Sequence, residues 1–242
     1  MAVPTEDPIY EPAFIAGLFN EMAQTYGLVN LITSFGFAAI WRKQALARAA
    51  IRSGQTVVDF MTGMGELGPN VGRRLGPTGS LVAVDISPVM CERARGTFAR
   101  LRCQASVLEQ DALFSTIPNH SADVLVSTFG LKTFSATQLR TLASEVSRIL
   151  KPGGSFSFLE ISVPPNRLLR WPYQFYINRV IPLVGRLLLG NPDNYRMLGV
   201  YTRKFGTCQA FVDDLRAVGL TTQPESFFFG CATGVSGVKP LR

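Results

Sequence analysis

From residue 56 to residue 161 the chain alternates short β-branched runs with helical stripes, and the first run ends in a glycine-rich turn. Strands read at residues 56–60, 80–85, 105–110, 122–128 and 155–161. Ser87-Pro88 supplies an N-cap and a first-turn proline for a helix carrying Ala94, Phe98 and Leu101. Ser135 and Gln138 form a capping-box pattern before Leu139, Leu142, Ala143, Val146, Ile149 and Leu150, and Lys151-Pro152-Gly153-Gly154 stops that helix. Parallel strands cannot be joined by hairpins. Each needs a crossover, and right-handed crossovers place helices on both faces of a mostly parallel α/β sheet. Ligands of such sheets bind beyond the carboxyl ends of the strands, so the functional residues belong in the turns that follow them.

Helical signals flank this core. Phe14, Leu18 and Met22, then Trp41, Ala45, Leu46 and Ala49, recur at helical spacing, which predicts a helical cap over residues 1–54 before the main domain at 55–242. Residues 164–207 read as an irregular helical insertion, 208–218 as a last helix, and 226–231 and 235–238 as closing strands. The segment 171–189 is the most apolar, yet Pro172, Pro182, Asn178, Arg179 and Arg186 make it a poor membrane span. The N-terminus lacks the basic start and apolar run of a signal peptide, so a cytoplasmic protein with reduced thiols is expected.

Composition removes several chemistries. With 47% hydrophobic and 17% charged residues the chain has material for a substantial core. Cys91, Cys103, Cys208 and Cys231 are scattered, and His120 is the single histidine, which argues against a zinc site or a disulfide scaffold. A hydrolytic triad would have to use His120, which sits in a polar turn. The net charge of +7 is spread along the chain, and Arg93, Arg95, Arg100 and Arg102 read as a solvated helix face. No basic–aromatic strip accompanies them, so no nucleic-acid partner is expected.

The turn after the first strand reads Asp59-Phe-Met-Thr62-Gly63-Met64-Gly65-Glu-Leu-Gly68. Gly63-x-Gly65-x-x-Gly68 matches a dinucleotide fingerprint, with Asp85 22 residues beyond Gly63. Asp59 separates this turn from a nicotinamide site. A carboxylate there repels a pyrophosphate and suits a cationic ligand. Asp111 ends the third strand and can accept from an adenine amino group. Three carboxylates at three successive strand ends suit S-adenosylmethionine: Asp59 at the methionine end, Asp85 on the ribose, Asp111 on the adenine. Gly63 and Gly65 are then expected to leave room for the methionine end.

The chain resembles the class I S-adenosylmethionine-dependent methyltransferases, most closely the group that C-methylates ubiquinone and menaquinone precursors. The motifs are Asp59-x-x-x-Gly63-x-Gly65, Phe129-Gly130-Leu131, Leu150-Lys-Pro-Gly-Gly154, Leu159-Glu160 and Asn191-Pro-Asp-Asn-Tyr195-Arg196. Upstream, Phe19, Ala23, Tyr26, Asn30, Ser34, Gly36 and Trp41-Arg42 match the group's N-terminal signature. The resemblance implies a Rossmann-like, seven-stranded, mostly parallel sheet with an antiparallel last strand and a lid insertion at about 164–207. It implies a cofactor site of Asp59, Thr62, Gly63, Met64, Gly65, Asp85, Ile86, Met90, Asp111, Ala112 and Ser127, with S-adenosylhomocysteine as product and no metal.

On the acceptor side the candidates are Lys132, to stabilise a phenolate or enolate, Glu160, to receive a proton, and Tyr26, Tyr195 and Arg196. The group's usual pattern is altered at Asn20, Gly27 and Lys132-Thr133, positions expected to surround the acceptor. The reading is methyl transfer to carbon of an apolar small molecule with a prenyl-like or polyketide tail. Transfer to oxygen or nitrogen of a specialised metabolite or a phospholipid headgroup is the alternative enzyme. A binding module that kept the fold is the alternative class. The aromatic and basic insertion, with Trp171, Tyr173, Tyr176, Arg170 and Arg179, fits a lid or a peripheral membrane contact, and a homodimer is left open.

Overall fold

In the computed structural model the described residues are 7–188 and 191–241, excepting the side chain of Tyr26. The β-branched runs form β1 (Thr56–Phe60), β2 (Ser80–Asp85), β3 (Gln104–Glu109), β4 (Ala122–Thr128) and β5 (Leu150–Ile161), followed by β6 (Thr221–Phe227) and β7 (Ala232–Val238). They make one seven-stranded sheet in the order β3-β2-β1-β4-β5-β7-β6. β1 to β5 pair in parallel, and β7 runs antiparallel to both of its neighbours. The chain leaves β1 in one direction to build β2 and β3, then crosses back to lay β4 on β1's other edge. The strand order therefore reverses at β1/β4, where a crevice opens beyond the carboxyl ends.

Strand alternation sends side chains to two cores. Val58, Phe60, Leu125, Phe156 and Phe158 face α6 (Ala136–Ile149) and α10 (Gln209–Ala217). Val57, Leu81, Ala83, Val124 and Val126 face α3 (Phe37–Arg48), α4 (Gly68–Leu75) and α5 (Pro88–Phe98). The capping box forms as read: Ser135 Oγ accepts from Gln138 N while Gln138 Oε1 accepts from Ser135 N. Ser87 likewise caps α5 by accepting from Met90 N.

Before the sheet come α1 (Pro12–Met22) and α2 (Tyr26–Thr33). α1 buries Ile15, Leu18 and Met22, while Phe14 is exposed, so its apolar face is rotated from the predicted one. The insertion comprises α7 (Arg167–Phe175), a π turn over Tyr176–Val180, α8 (Ile181–Leu187) and α9 (Pro192–Phe205). It shares a core with the first two helices through Ile15, Leu18, Met22, Val29, Tyr195 and Tyr201.

Three strands differ from expectation by more than one residue. β5 starts at Leu150, five residues early, because the Lys151–Gly154 turn is absorbed as a bulge between the Ala122–Leu150 and Val124–Ser155 pairs. β6 covers 221–227 rather than 226–231. It is a polar edge strand with little apolar signal, and Phe228–Gly230 turn away in a 3-10 helix. β7 begins at Ala232 rather than residue 235. Gly234 weakens its strand signal but is required there, since a Cβ would stand 2.5 Å from the Phe158 carbonyl oxygen.

Candidate active site

Two cavities meet at the β1/β4 crevice. The first holds about 910 Å³ of empty space. Its floor is the strand ends: Asp59, Met61, Thr62 and Gly63 after β1, Asp85 and Ile86 after β2, Gln110, Asp111 and Ala112 after β3, Thr128 to Gly130 after β4. α5 adds Met90, and Tyr10, Pro12, Ile15 and Phe19 from the N-terminal segment roof it. The predicted cofactor residues Asp59, Thr62, Gly63, Asp85, Ile86, Met90, Asp111 and Ala112 thus lie around one volume.

Three predicted residues do not line it. Ser127 is fully buried on the α6 side of β4, beside Leu125. Met64 packs its Cε against Gly27 of α2, where a Cβ would stand 2.9 Å away, and borders an outer groove beside α4 and α5. Gly65 lies against α5: a Cβ there would be 2.7 Å from Phe98 Cε1. Gly65 therefore serves helix packing, whereas Gly63 borders the cavity.

The cavity is strongly acidic. Asp59 is 1% exposed, and its Oδ2 accepts from Thr62 Oγ1 at 2.6 Å. Burial raises its pKa to about 7, and Glu66 and Asp85 add to the rise. Asp85 accepts from Gly63 N at 2.7 Å and from Ser87 N at 3.0 Å, yet burial raises it to about 6. Asp111 accepts from Leu113 N and is also raised by burial. Two residues here have left-handed backbones without being glycine: Met61 at φ 51° and Phe129 at φ 67°, on adjacent strand ends. Such conformations cluster at functional sites. Gly130 lets these turns meet, since a Cβ would be 2.5 Å from Met61 Cβ.

The second cavity, with about 1340 Å³ of empty space, lies under the insertion. Its walls are apolar and aromatic: Phe35, Phe37, Trp41, Leu169, Tyr173, Tyr176, Ile177, Ile181 and Phe228 among them. Phe129 lines both cavities and is the wall between them. Lys132 and Tyr195 line the second one. Lys132 is 3% exposed; its Nζ donates to Phe129 O at 2.6 Å and Glu160 Oε1 at 2.9 Å. An ammonium has three donors, so one remains for a ligand.

Glu160 is fully buried and lines neither cavity. Its oxygens accept from Lys132 Nζ, Lys132 N and Ile161 N, so it orients Lys132 rather than facing an acceptor. The Tyr195 hydroxyl pairs with Thr25 Oγ1 at 2.8 Å, and burial raises its pKa, which keeps it a neutral hydroxyl. Arg196 points to the surface and pairs with Asp193. The Tyr26 side chain lies outside the described residues. Of the altered positions, Asn20 accepts from Ser87 Oγ at the α5 cap, and Thr133 lines the first cavity. Neither lines the second cavity, where the acceptor was expected. His120 is exposed on a turn.

Sequence reasoning missed Arg42, Met61 and Gln138 as cavity residues. Arg42 stands on α3, remote in sequence from every strand end, and no local pattern marks it as facing the cavity.

The family model of the ubiE/COQ5 methyltransferase family matches residues 9–239. The chain belongs to that family. It is 29% identical over 229 residues to a ubiquinone/menaquinone biosynthesis C-methyltransferase of Saccharophagus degradans, covering 93% of this chain and 91% of that one. It is 30% identical over 223 residues to a demethylmenaquinone methyltransferase of Thermus thermophilus, covering 92% of this chain and all of the other. Among solved structures, a SAM-dependent methyltransferase from Aquifex aeolicus shares the fold at TM-score 0.55 and 17% identity, over 81% of this chain and 88% of that one. The N-methyltransferase NodS from Bradyrhizobium japonicum, solved with S-adenosylhomocysteine, does so at TM-score 0.57 and 15% identity, over 84% and 87%.

As a member of this family the chain is an S-adenosylmethionine-dependent methyltransferase, and its own residues fit that cofactor. Asp59 is a buried carboxylate that borders the cavity and, among the described residues, forms no ion pair, which suits a cationic ligand group. Asp85 and Asp111 keep free acceptor capacity beside the backbone donors they already accept.

The raised carboxylates give a signed expectation. Binding a cationic group or a hydroxyl donor favours the ionised forms of Asp59 and Asp85, whose free-state pKa values are about 7 and about 6. Affinity for S-adenosylhomocysteine should therefore rise from pH 5 to pH 8 and level off, with protons released on binding below pH 7. Titration calorimetry in buffers of different ionisation enthalpy measures that release. For the ligand-free protein the sign reverses: raised carboxylates favour folding most at low pH, and that contribution is lost as pH rises from the unfolded value of 3.8 through 7.

Proposed function

We propose that the chain transfers a methyl group from S-adenosylmethionine to a ring carbon of a quinol-like acceptor carrying a long apolar tail. The observation that carries this reading is the second cavity. It is lined by aromatic and aliphatic side chains, and Lys132 is its one charged lining residue among those described. The names of the two relatives, a ubiquinone/menaquinone biosynthesis C-methyltransferase and a demethylmenaquinone methyltransferase, support the same class of acceptor.

When bound, the cofactor supplies a methyl already activated on a sulfonium. The chain's part is to align the acceptor, exclude water and steady charge on the ring oxygen. The apolar walls take the ring and tail. The free Lys132 N–H donates to a ring oxygen whose proton has gone to solvent; the ring carbon then takes the methyl, and the proton that carbon carried passes to that oxygen or to solvent as aromaticity is restored. Glu160 and the Phe129 carbonyl fix that ammonium in place.

The elements around the cavity also favour a membrane-held acceptor. Phe35, Leu168, Trp171, Leu187 and Phe229 are each more than two-thirds exposed on them. Residues 167–188 contain Arg167, Arg170, Arg179 and Arg186 and no acidic residue. Apolar side chains with basic ones only suit an anionic bilayer surface. Among the described residues no helix is long and apolar enough to cross a membrane, so the contact would be peripheral.

The test presents a demethylated prenyl-hydroquinone in anionic vesicles with the protein, the cofactor and a reductant. A product heavier by one methylene, with the methyl on ring carbon by fragmentation, is expected, together with co-sedimentation of the protein. An ether product would replace carbon transfer by oxygen transfer. Full activity without vesicle binding would remove the membrane from the reading.

A further inference from the structure

The ionisable lining of the first cavity is lopsided. Asp59, Glu66, Asp85 and Asp111 are acidic, and Arg42 is the one cation among the described lining residues. Arg42 projects from α3, and its side chain is 14% exposed. Its Nη2 reaches Glu66 Oε1 at a long 3.3 Å, and its guanidinium carbon stands 5.1 Å over the Phe129 ring. Its Nε is buried and has no hydrogen-bond partner. Buried donors without acceptors are rare in native proteins and call for an explanation; on a side chain that lines a ligand cavity, an acceptor carried by the ligand is one.

The cofactor brings such an acceptor. Its methionyl group carries an ammonium and a carboxylate on one carbon. If the ammonium meets Asp59, the carboxylate lies a few ångströms away and must avoid Asp59, Glu66 and Asp85. Arg42 is the opposite charge within electrostatic reach of Asp59. A guanidinium edge, Nε with one Nη, matches a carboxylate in planar, bidentate fashion.

We propose that Arg42 binds the carboxylate of the cofactor's methionyl group through its unpartnered Nε edge. The inference deepens the cofactor assignment and rests on it. It gives the cavity a divided recognition scheme: carboxylates for the ammonium, ribose and adenine, and one guanidinium for the sole anionic group of the ligand. It also joins the two cavities, because Phe129 under the guanidinium is their common wall and its carbonyl holds Lys132.

The test compares two ligands by titration calorimetry: S-adenosylhomocysteine, and 5′-methylthioadenosine, which keeps the nucleoside and thioether but lacks the amino-acid group. Arg42→Met should weaken S-adenosylhomocysteine by ~10–100-fold, the scale of a lost charge-assisted hydrogen bond, and methylthioadenosine by less than about 3-fold. Arg42→Lys should recover only part of the loss. An equal loss for both ligands, or no loss for either, overturns the proposal and leaves Arg42 a packing residue. If Arg42→Met does not fold, Arg42→Gln must show the same selectivity, and equal effects on both ligands there overturn it. Failure of the unmutated protein to bind either ligand would instead overturn the cofactor site itself.

Discussion

Alanine at Lys132 lowers methyl transfer by ~100-fold or more, the scale for loss of one preorganised electrostatic donor, while cofactor affinity changes by no more than about 3-fold. Lys132 lines the second cavity and not the first, which separates the two effects. Stability falls as well. Lys132 and Glu160 form a buried pair at 2.9 Å, 4% and 0% exposed at the side chains. Removing one partner leaves a buried charge uncompensated, at a cost of about 3–5 kcal/mol. The backbone donors from Lys132 N and Ile161 N offset part of that.

The rate and stability losses come apart in a double variant. Lys132→Ala/Glu160→Gln removes the charge that Lys132→Ala strands, so thermal stability recovers while turnover stays low. Lys132→Arg keeps the charge, but a larger planar group must fit between Phe129 O and Glu160, so full activity does not return. Single-turnover kinetics and thermal unfolding on the four proteins check this. An unchanged rate in Lys132→Ala, or recovery of the rate in the double variant, would reduce Lys132 to a structural partner of Glu160.

The parallel core was legible because its signals are local. A β-branched run, a glycine turn and a capping box each act within a few residues, and β1, β2, β4 and the Ser135 cap stand where they were read. The three acidic strand ends were legible for the same reason: topology puts the ends of β1, β2 and β3 at one rim, so their carboxylates converge whatever the helices do. The closing strands were less legible. β6 is an edge strand with polar side chains, and β7 contains glycines that its close backbone neighbours demand, so neither shows the periodicity of a buried strand.

The acceptor side depended on tertiary packing. That Lys132 is buried follows from Glu160, 28 residues away on β5, and no spacing rule reports such a pair. Arg42 enters the cavity because α3 lies against the sheet through Leu46 and Ala49. The tool for that packing, hydrophobic periodicity, marks Trp41, Ala45, Leu46 and Ala49 and is silent on where the intervening arginine points. Serine and methionine near a strand end carry no directional signal either. Ser127 and Met64 stand beside cavity residues in sequence, yet neither lines the cavity: strand alternation turns Ser127 to the α6 side, and Met64 packs its Cε against Gly27.

Valine at Gly65 destabilises the fold before it touches the cofactor. Gly65 adopts φ +79°, which a β-branched side chain tolerates poorly. A Cβ there would stand 2.7 Å from Phe98 Cε1 and 3.3 Å from Ala94 Cα. The ring can shift only by disturbing the core it shares with Leu67, Val71 and Ala94, and the α5 backbone cannot shift locally. Backbone strain and overpacking, each about 1–3 kcal/mol, act together. The sum, about 2–6 kcal/mol, is a large part of a typical stability of about 5–15 kcal/mol. For a chain of this size, at about 2–4 °C per kcal/mol, it lowers Tm by about 4–24 °C. Gly65→Ala should lose less, and Phe98→Leu should relieve it, because leucine has no atom at the ring's Cε1 position. The double variant Gly65→Ala/Phe98→Leu should then bind S-adenosylhomocysteine within about 3-fold of the unmutated protein, since neither side chain borders the cavity. Thermal unfolding with and without that ligand decides between the two roles of the glycine. An unshifted Tm with lost binding in Gly65→Val would return Gly65 to the cofactor, whereas a lowered Tm with binding retained at low temperature makes it the contact on which the turn rests against α5.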